Sequence, residues 1–184
     1  MELERALIVH AAPTLAGLKT ANLFWFSCPD LEEARRTVDG WNGIFMEKGV
    51  RLDIMKIHRN RMLLYVYREK RLEKDLTQPE AERILESCGY SKGGLPGILS
   101  RLRERLRNDR DFPHEIGLFL GYPVEDVHGF IVNGGKNFCC SGCWKVYCNQ
   151  CEKEKLFRRY KKCGAVYLRL FQNGRSVWQL TVAA

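Results

Sequence analysis

An unbroken apolar run at residues 62–67, Met-Leu-Leu-Tyr-Val-Tyr, constrains the fold of this 184-residue chain more than any other segment. Its length and its aromatic and branched residues are typical of a strand. Because successive side chains of a strand point to opposite faces of the sheet, a strand that is apolar throughout must be covered on both faces. The run is therefore predicted as a central strand, paired in a hairpin with residues 51–58 through the turn Arg59-Asn60.

The rest of the chain alternates helices with a few strands. Further strands are predicted at residues 21–26, 136–147 and 176–182. Helices are predicted at residues 3–9, 31–45, 77–88, 95–107, 113–120, 123–132 and 152–172. This order is not a regular strand–helix–strand repeat, which favours a mixed sheet. The predicted fold class is α/β or α+β, as a single layered domain over residues 1–184 with a mixed four- to five-stranded sheet and flanking helices.

Two capping boxes mark predicted helix starts. Asp30 and Thr77 are each followed by a glutamate three residues later, so each side chain is expected to accept a hydrogen bond from the first turn of a helix. Pro79 suits the first turn of the second of these helices.

The composition is that of an ordinary globular protein. Apolar residues make up 45% of the chain, which is enough for a core that needs no disulfides. No apolar run reaches the length of a membrane span, and the first four residues include two acids, unlike a secretory leader. We therefore expect a cytoplasmic protein whose eight cysteines are reduced.

Five of the eight cysteines fall within residues 139–151, and four of them form two Cys-x2-Cys pairs. Such pairs can hold zinc or an iron–sulfur cluster, and the predicted metal ligands are Cys140, Cys143, Cys148 and Cys151. Only four residues separate the pairs, whereas an ordinary zinc ribbon has about a dozen or more. A metal site, a redox-active thiol pair and cysteines that only pack therefore all stay open.

Position distinguishes the individual cysteines. Cys148 and Cys151 are predicted at the start of the long helix, where exposed backbone N–H groups lower the pKa of a thiol. Cys163 continues an apolar stripe along that helix and is expected in the core. Cys28 ends a buried strand just before a capped helix, which suits either a functional thiol or a half-buried junction residue.

Basic residues outnumber acidic ones by 30 to 22, and two segments contain much of the excess. Residues 101–110 include five arginines, and residues 153–162 include six lysines and arginines. Basic helices attract nucleic acid, acidic membranes or acidic proteins. A solvated helix face is the alternative for both segments.

Lys19 and His114 are further candidates for chemistry. Lys19 lies in Gly-Leu-Lys-Thr, which matches a phosphate-binding loop only in part because the upstream glycine is missing. His114 lies at the start of the helix predicted at residues 113–120 and suits a ligand or a general base, although the chain has no metal-binding histidine spacing. A hydrogen-bonding role at the helix start is the alternative for His114.

Four segments together resemble an uncharacterised bacterial family, the domain of unknown function 3793, which occurs mainly in anaerobic Firmicutes. They are residues 12–24, 112–127, 144–147 and 157–163, and they span nearly the whole chain in order. The resemblance implies a small cytoplasmic protein encoded near flavodoxins or ferrous-iron transport genes, and it implies no known activity.

The resemblance also draws attention to particular residues. Those within or beside its motifs are Lys19, Cys28, His114, Glu115 and Trp144. Two of the clustered cysteines, Cys148 and Cys151, depart from the family's pattern. A ligand set that needs Cys151 is therefore not implied for the family as a whole.

Three functions follow as hypotheses. The first is an accessory protein of anaerobic redox or iron metabolism that depends on thiols or a metal and docks an acidic partner, such as a flavodoxin, through a basic face. The second is an enzyme with a small anionic substrate, for which the predicted catalytic residues are Lys19, Cys28, His114 and Glu115. The third is a nucleic-acid-binding module, although no recognition motif is present. The sequence does not decide whether the protein is an enzyme.

Overall fold

The apolar run at residues 62–67 forms the middle of a three-stranded antiparallel sheet in the computed structural model. This strand, β3 (Arg61–Arg68), pairs with β1 (Ala21–Ser27) on one side and with β2 (Val50–His58) on the other. Its side chains are buried on both faces of the sheet. The predicted central strand and the predicted hairpin are therefore confirmed.

The structure describes residues 2–91, 93–108 and 112–183, and the chain groups into two compact units. The first unit, residues 1–71 and 160–184, contains the sheet together with α1 (Leu3–Leu15), α2 (Leu31–Phe45), a short 3-10 helix (Met46–Lys48) and α9 (Val177–Leu180). The second unit, residues 72–159, contains α4 (Pro79–Ser87), α5 (Gly94–Asn108), α6 (Ile116–Phe119), α7 (Val124–Val132), β4 (Cys140–Ser141) and β5 (Lys145–Val146). Helices α3 (Glu69–Leu76) and α8 (Gln150–Gln172) have residues in both units. That residues 1–184 form a single domain stays a prediction.

Helices α1 and α2 pack against the sheet in the first unit. Leu7 of α1 and Phe45 of α2 are fully buried, in one apolar cluster with Leu64 and Val66 of β3. Burying a side chain of this size stabilises a fold by about 2 kcal/mol. The core of the first unit therefore depends on the alternate residues of β3 that face these helices.

The two predicted capping boxes have different outcomes. Asp30 caps α2, and its carboxylate accepts hydrogen bonds from two first-turn amides at 2.8 and 3.0 Å, as predicted. The second box is wrong: Gln78 occupies the N-cap position of α4 without a side-chain capping hydrogen bond, and the hydroxyl of Thr77 instead donates to the carbonyl of Glu73 near the end of α3. Pro79 does occupy the first turn of α4, as expected.

Helix α1 continues through Pro13 to Leu15, so its predicted end at residue 9 is wrong. A proline at this position removes only the hydrogen bond to the carbonyl of Val9, and Val9 is exposed, so water can satisfy that carbonyl. The last turn is stabilised from outside the helix. The guanidinium of Arg68 donates to the carbonyl of Thr14 and to that of Leu15, each at 2.7 Å.

The four- to five-stranded mixed sheet is wrong, because two predicted strands form other structures. Residues 177–180 form helix α9, where Ser176 and Gln179 make a complete capping box at 3.1 and 3.2 Å. Residues 136–147 contain only the short antiparallel hairpin of β4 and β5. Asn137 has a left-handed φ of 58°, which interrupts an extended strand. The mixture of helices and strands is confirmed.

Two glycines allow helix α7 to approach its neighbours in the second unit. A Cβ on Gly129 would lie 2.5 Å from Cγ of Tyr147, and a Cβ on Gly117 would lie 2.7 Å from Cγ2 of Val127. Non-bonded atoms do not pack this closely, so a larger residue would push these segments apart. Their close packing brings the segment before α6, helix α7 and the β4–β5 hairpin around one space.

Candidate functional site

The space between α6, α7 and the β4–β5 hairpin is a largely apolar cavity of about 550 Å³ in the second unit. Five ring-bearing side chains line it: Phe112, His114, Tyr122, Phe130 and Trp144. Three polar side chains also line it: Asp126, Ser141 and Lys145. Two residues that the sequence singled out, His114 and Trp144, therefore lie at the same cavity.

Asp126 fixes the indole of Trp144 in the cavity wall. One carboxylate oxygen accepts a hydrogen bond from Nε1 of Trp144 at 2.8 Å, and the other accepts one from the amide of Tyr147 at 2.8 Å. The indole also stacks on Tyr122 and meets the edge of Phe157, with ring centres 4.6 Å apart in both pairs. Contacts on a face and an edge, together with a polar anchor, leave Trp144 a single orientation.

Lys153 compensates the buried charge of Asp126, which is only 1% exposed. Its Nζ lies 3.8 Å from the carboxylate of Asp126 and 2.9 Å from that of Glu125. Burial opposes ionisation of Glu125, but the hydrogen bonds that its carboxylate accepts and the charge of Lys153 together outweigh it and hold the pKa of Glu125 below its usual value. A buried carboxylate is tolerated because it is hydrogen-bonded and paired in this way.

Lys145 brings a positive charge to the cavity. Its Nζ donates to the carbonyl of Gly135 at 2.7 Å and lies 5.6 Å from the ring centre of Phe130 and 4.9 Å from that of Phe138. The side chain is half-buried. Over residues 2–91, 93–108 and 112–183, no carboxylate forms an ion pair with this ammonium group.

His114 and Glu115 are neighbours in sequence but have different surroundings. His114 is exposed at the cavity, and its ring meets the edge of Phe130 with centres 5.1 Å apart. Glu115 does not line the cavity and is buried, where it accepts a hydrogen bond from the Tyr90 hydroxyl at 2.8 Å and pairs with Arg105 at 2.9 Å. Burial, and then the charge of Glu115, raises the pKa of Tyr90. Glu115 therefore connects α5 to the start of α6 and is not placed for catalysis at the cavity.

Lys19 and Cys28 do not meet, because they flank opposite ends of β1 in the first unit. The seven residues of this strand separate them, which is roughly 23 Å at about 3.3 Å per residue. Cys28 is 6% exposed and borders a separate open cavity of about 590 Å³. Burial, and then the charge of Asp30, raises the pKa of its thiol. The predicted catalytic set thus does not assemble around Lys19 and Cys28.

The four predicted metal ligands do not fit a zinc or iron–sulfur site as they are arranged. Cys140 and Cys143 belong to the β4–β5 hairpin, and Cys148 and Cys151 lie at the start of α8. Within the described ranges, no three histidine, cysteine, aspartate or glutamate side chains are grouped to hold a metal ion. The metal site therefore stays a prediction, and the described residues offer no set of ligands for it.

Burial decides the acidity of several thiols. It raises the pKa of Cys148, and the charges of Glu125 and Asp126 add to the effect, which is opposite to the lowering expected at a helix start. Cys163 is buried in the core, as predicted, and burial raises its pKa as well. The raised pKa of Cys148 could not be predicted from the residues near it in sequence, because the two carboxylates belong to α7 and not to α8.

The two basic segments differ in which of their arginines form ion pairs. In α5, Arg101 pairs with Glu104 at 2.7 Å, and Arg105 pairs with buried Glu115. In α8, Arg158 and Arg159 are exposed, and neither forms an ion pair within the part of the chain that the structure describes. Exposed arginines without an ion pair among the described residues therefore lie on both helices, because Arg107 of α5 is one as well. Arg110 of the first segment lies outside the described residues.

Residues 7–181 match the model of a family described as a protein of unknown function, DUF3793. The chain belongs to this family. No curated protein and no solved structure matches it. In the ranges that the structure describes, no helix is long and apolar enough to cross a membrane. The family carries no assigned activity, so the function has to be argued from the geometry of the site.

Sequence reasoning missed the cavity residues Tyr122, Asp126, Phe130 and Lys145. The only local signal is the adjacent pair Trp144-Lys145, which places an aromatic ring and a cation next to each other. Because neighbouring strand residues usually face opposite sides, this pair did not suggest one site. The short hairpin and its turn bring both side chains to the cavity instead.

Proposed function

We propose that the second unit binds a small molecule in the cavity between α6, α7 and the β4–β5 hairpin. The observation that supports this most directly is a cavity of about 550 Å³ with five ring-bearing side chains in its wall. Ligand sites typically measure about 300–1,000 Å³ and are apolar with a few placed polar groups. Here Asp126, Ser141 and Lys145 are those groups.

The cavity wall is held in place before any ligand arrives. Trp144 is anchored by the buried carboxylate of Asp126 and packed by Tyr122 and Phe157. A preformed wall lowers the conformational entropy that a ligand would otherwise have to restrict. This favours a binding site over an incidental gap between helices, and it revises the enzyme hypothesis by replacing Lys19 and Cys28 with the residues around His114.

A cavity-filling substitution tests the proposal. We expect that adding aromatic fragments to the protein will shift the backbone amide signals of Gly117, Ser141 and Lys145. We also expect Ser141→Trp to weaken fragment binding by about ten-fold or more, because the introduced indole occupies the cavity. The measurement is a fragment titration followed by two-dimensional NMR. Ser100→Trp, on an exposed position of α5 outside the cavity, is the matched control and should bind as the wild type does. Shifts that do not cluster at the cavity, or that survive Ser141→Trp, would refute the proposal.

One feature of α8 favours a second function, an accessory role in redox or iron metabolism. Cys151, Lys155 and Arg158 follow one another at spacings of four and three residues, so they share one side of the helix, and all three are exposed. Lys155 pairs with Glu152 at 2.8 Å, and Arg158 has no ion pair among the described residues. A thiol on the same side of a helix as such a cation is suited to docking an acidic redox partner such as a flavodoxin. Nucleic-acid binding through α5 has less support, because Arg101 and Arg105 are paired with glutamates.

The accessibility of the thiols tests this second function. At pH 8 we expect iodoacetamide to label Cys151 at least about ten-fold faster than Cys28 and Cys163. Only a thiolate reacts, and burial both blocks access to Cys28 and Cys163 and raises their pKa, so less thiolate is present at a given pH. Tandem mass spectrometry of quenched time points measures the rates, and labelling in urea, where all thiols are accessible, is the control. Equal rates for Cys28 and Cys151 in the folded protein would contradict the arrangement on which this function depends.

A further inference from the structure

We infer that the ligand of this cavity is a planar aromatic anion, whose acid group binds Lys145 and whose ring packs against the aromatic wall. This inference rests on the proposed function, since it specifies what the cavity binds. Two independent features support it: a half-buried cation without a counter-ion among the described residues, and rings on several sides of the same space.

The surroundings of Lys145 call for an anion. Among the residues that the structure describes, its Nζ has one hydrogen-bond acceptor, the carbonyl of Gly135 at 2.7 Å, whereas an ammonium group has three N–H donors. The rings of Phe130 and Phe138 contribute cation–π attraction but no charge. A cation that is partly withdrawn from water is stabilised when an anion pairs with it, and a ligand acid group at the cavity would supply that anion.

Among the described residues, Asp126 is the acid that lines this cavity, and it forms no ion pair with Lys145. Its two oxygens accept hydrogen bonds from Trp144 and from the amide of Tyr147, and its charge lies 3.8 Å from Nζ of Lys153. Lys153 lowers the repulsion that Asp126 exerts on an incoming anion, and it shares its charge with Glu125, which lies closer at 2.9 Å. Among the described residues that line the cavity, Lys145 therefore supplies the ammonium group to which an anion can bind.

The remaining wall favours a flat ring system. Phe130 and Tyr122 are half-buried and Phe112 is exposed, so their rings have surface left to contact a ligand. Aromatic rings pack against other rings face to edge or offset, with centres about 4.5–7 Å apart. His114 adds a ring and an N–H donor that has no hydrogen-bond partner in the part of the chain described. A volume of about 550 Å³ leaves room for a bicyclic or larger ligand.

Three matched probes test the inference: 2-naphthoate, its uncharged amide 2-naphthamide, and cyclohexanecarboxylate, which keeps the charge without the aromatic ring. We expect 2-naphthoate to bind about ten-fold more tightly than either of the others, by isothermal titration calorimetry with amide NMR to locate the site. Lys145→Met should abolish the preference for 2-naphthoate over 2-naphthamide. Lys136→Met, which removes an exposed lysine outside the cavity, should leave that preference unchanged.

Each outcome decides one part of the inference. Equal affinity for 2-naphthoate and 2-naphthamide in the wild type overturns the anion, while the small-molecule function stands because both probes bind. Equal affinity for 2-naphthoate and cyclohexanecarboxylate overturns the aromatic ring. If no probe shifts the cavity amides, and no fragment does either, the proposed function fails together with the inference. If Lys145→Met does not fold, the wild type decides the role of charge. The affinity for 2-naphthoate divided by that for 2-naphthamide should then decrease as salt is added, and a ratio that salt leaves unchanged would overturn the anion.

Discussion

Arg68→Met is expected to lower the free energy of unfolding by about 4 kcal/mol, the largest effect that we predict for a single side chain. The guanidinium is 5% exposed and donates to three backbone carbonyls, those of Thr14, Leu15 and Val182, at 2.7, 2.7 and 2.8 Å. Methionine fills much of the volume but donates no hydrogen bond. Three carbonyls then lose the guanidinium, and two of them belong to the last turn of α1. Each of these two keeps one weaker, uncharged donor: the amide of Gly17 for Thr14, at 3.1 Å, and the amide of Val182 for Leu15, at 2.9 Å.

Urea denaturation followed by far-UV circular dichroism measures this effect. Arg5→Met is the matched control, because Arg5 lies on α1 itself but is exposed, and its loss should change stability by no more than about 0.5 kcal/mol. Arg68→Lys should fall between the two, since it keeps the charge but not the planar set of donors. If Arg68→Met were as stable as Arg5→Met, the guanidinium would not stabilise the end of α1.

Asp126→Ala is expected to destabilise the protein by about 3 kcal/mol and to abolish fragment binding at the cavity. The substitution leaves the indole N–H of Trp144 and the amide of Tyr147 without their acceptor, and it removes one carboxylate from the buried pair with Lys153. Trp144 is then no longer anchored, so the cavity wall loses its preformed shape.

Two measurements separate these consequences. Urea denaturation gives the change in stability, and the fragment titration by NMR, at a temperature where the variant is folded, gives the change in binding. Asp39→Ala, at an exposed aspartate on α2, is the control and should alter neither. An Asp126→Ala protein that is folded and binds fragments with unchanged affinity would show that Asp126 does not position the wall.

Local patterns predicted well the elements whose signals lie within a few residues. The strand at 61–68 was recognisable because a short apolar run that is rich in aromatic and branched residues is typical of a strand covered on both faces. The cap at Asp30 was recognisable because its carboxylate accepts hydrogen bonds from the amides of the residues two and three positions later in the chain. Helix α8 was predicted from residue 152, two residues after its observed start at Gln150.

The failed predictions involve segments where alternation resembles a strand but other contacts decide the structure. Residues 176–182 look extended, yet the Ser176–Gln179 box favours a turn of helix. Residues 136–147 alternate polar and apolar side chains, yet the left-handed backbone at Asn137 confines pairing to two residues in each strand. A strand needs a partner along its length, and no local pattern states whether a partner is present.

By itself, the sequence determined the central strand, the core position of Cys163 and the membership of the family, because each depends on periodicity or on long matching segments. Only the tertiary structure decided which of the conspicuous residues share a site. It separated Lys19 from Cys28 by a whole strand, and it brought His114, Asp126 and Lys145 to one cavity. The physical reason is that a site depends on distances between side chains far apart in sequence, and those distances are set by how helices and hairpins pack.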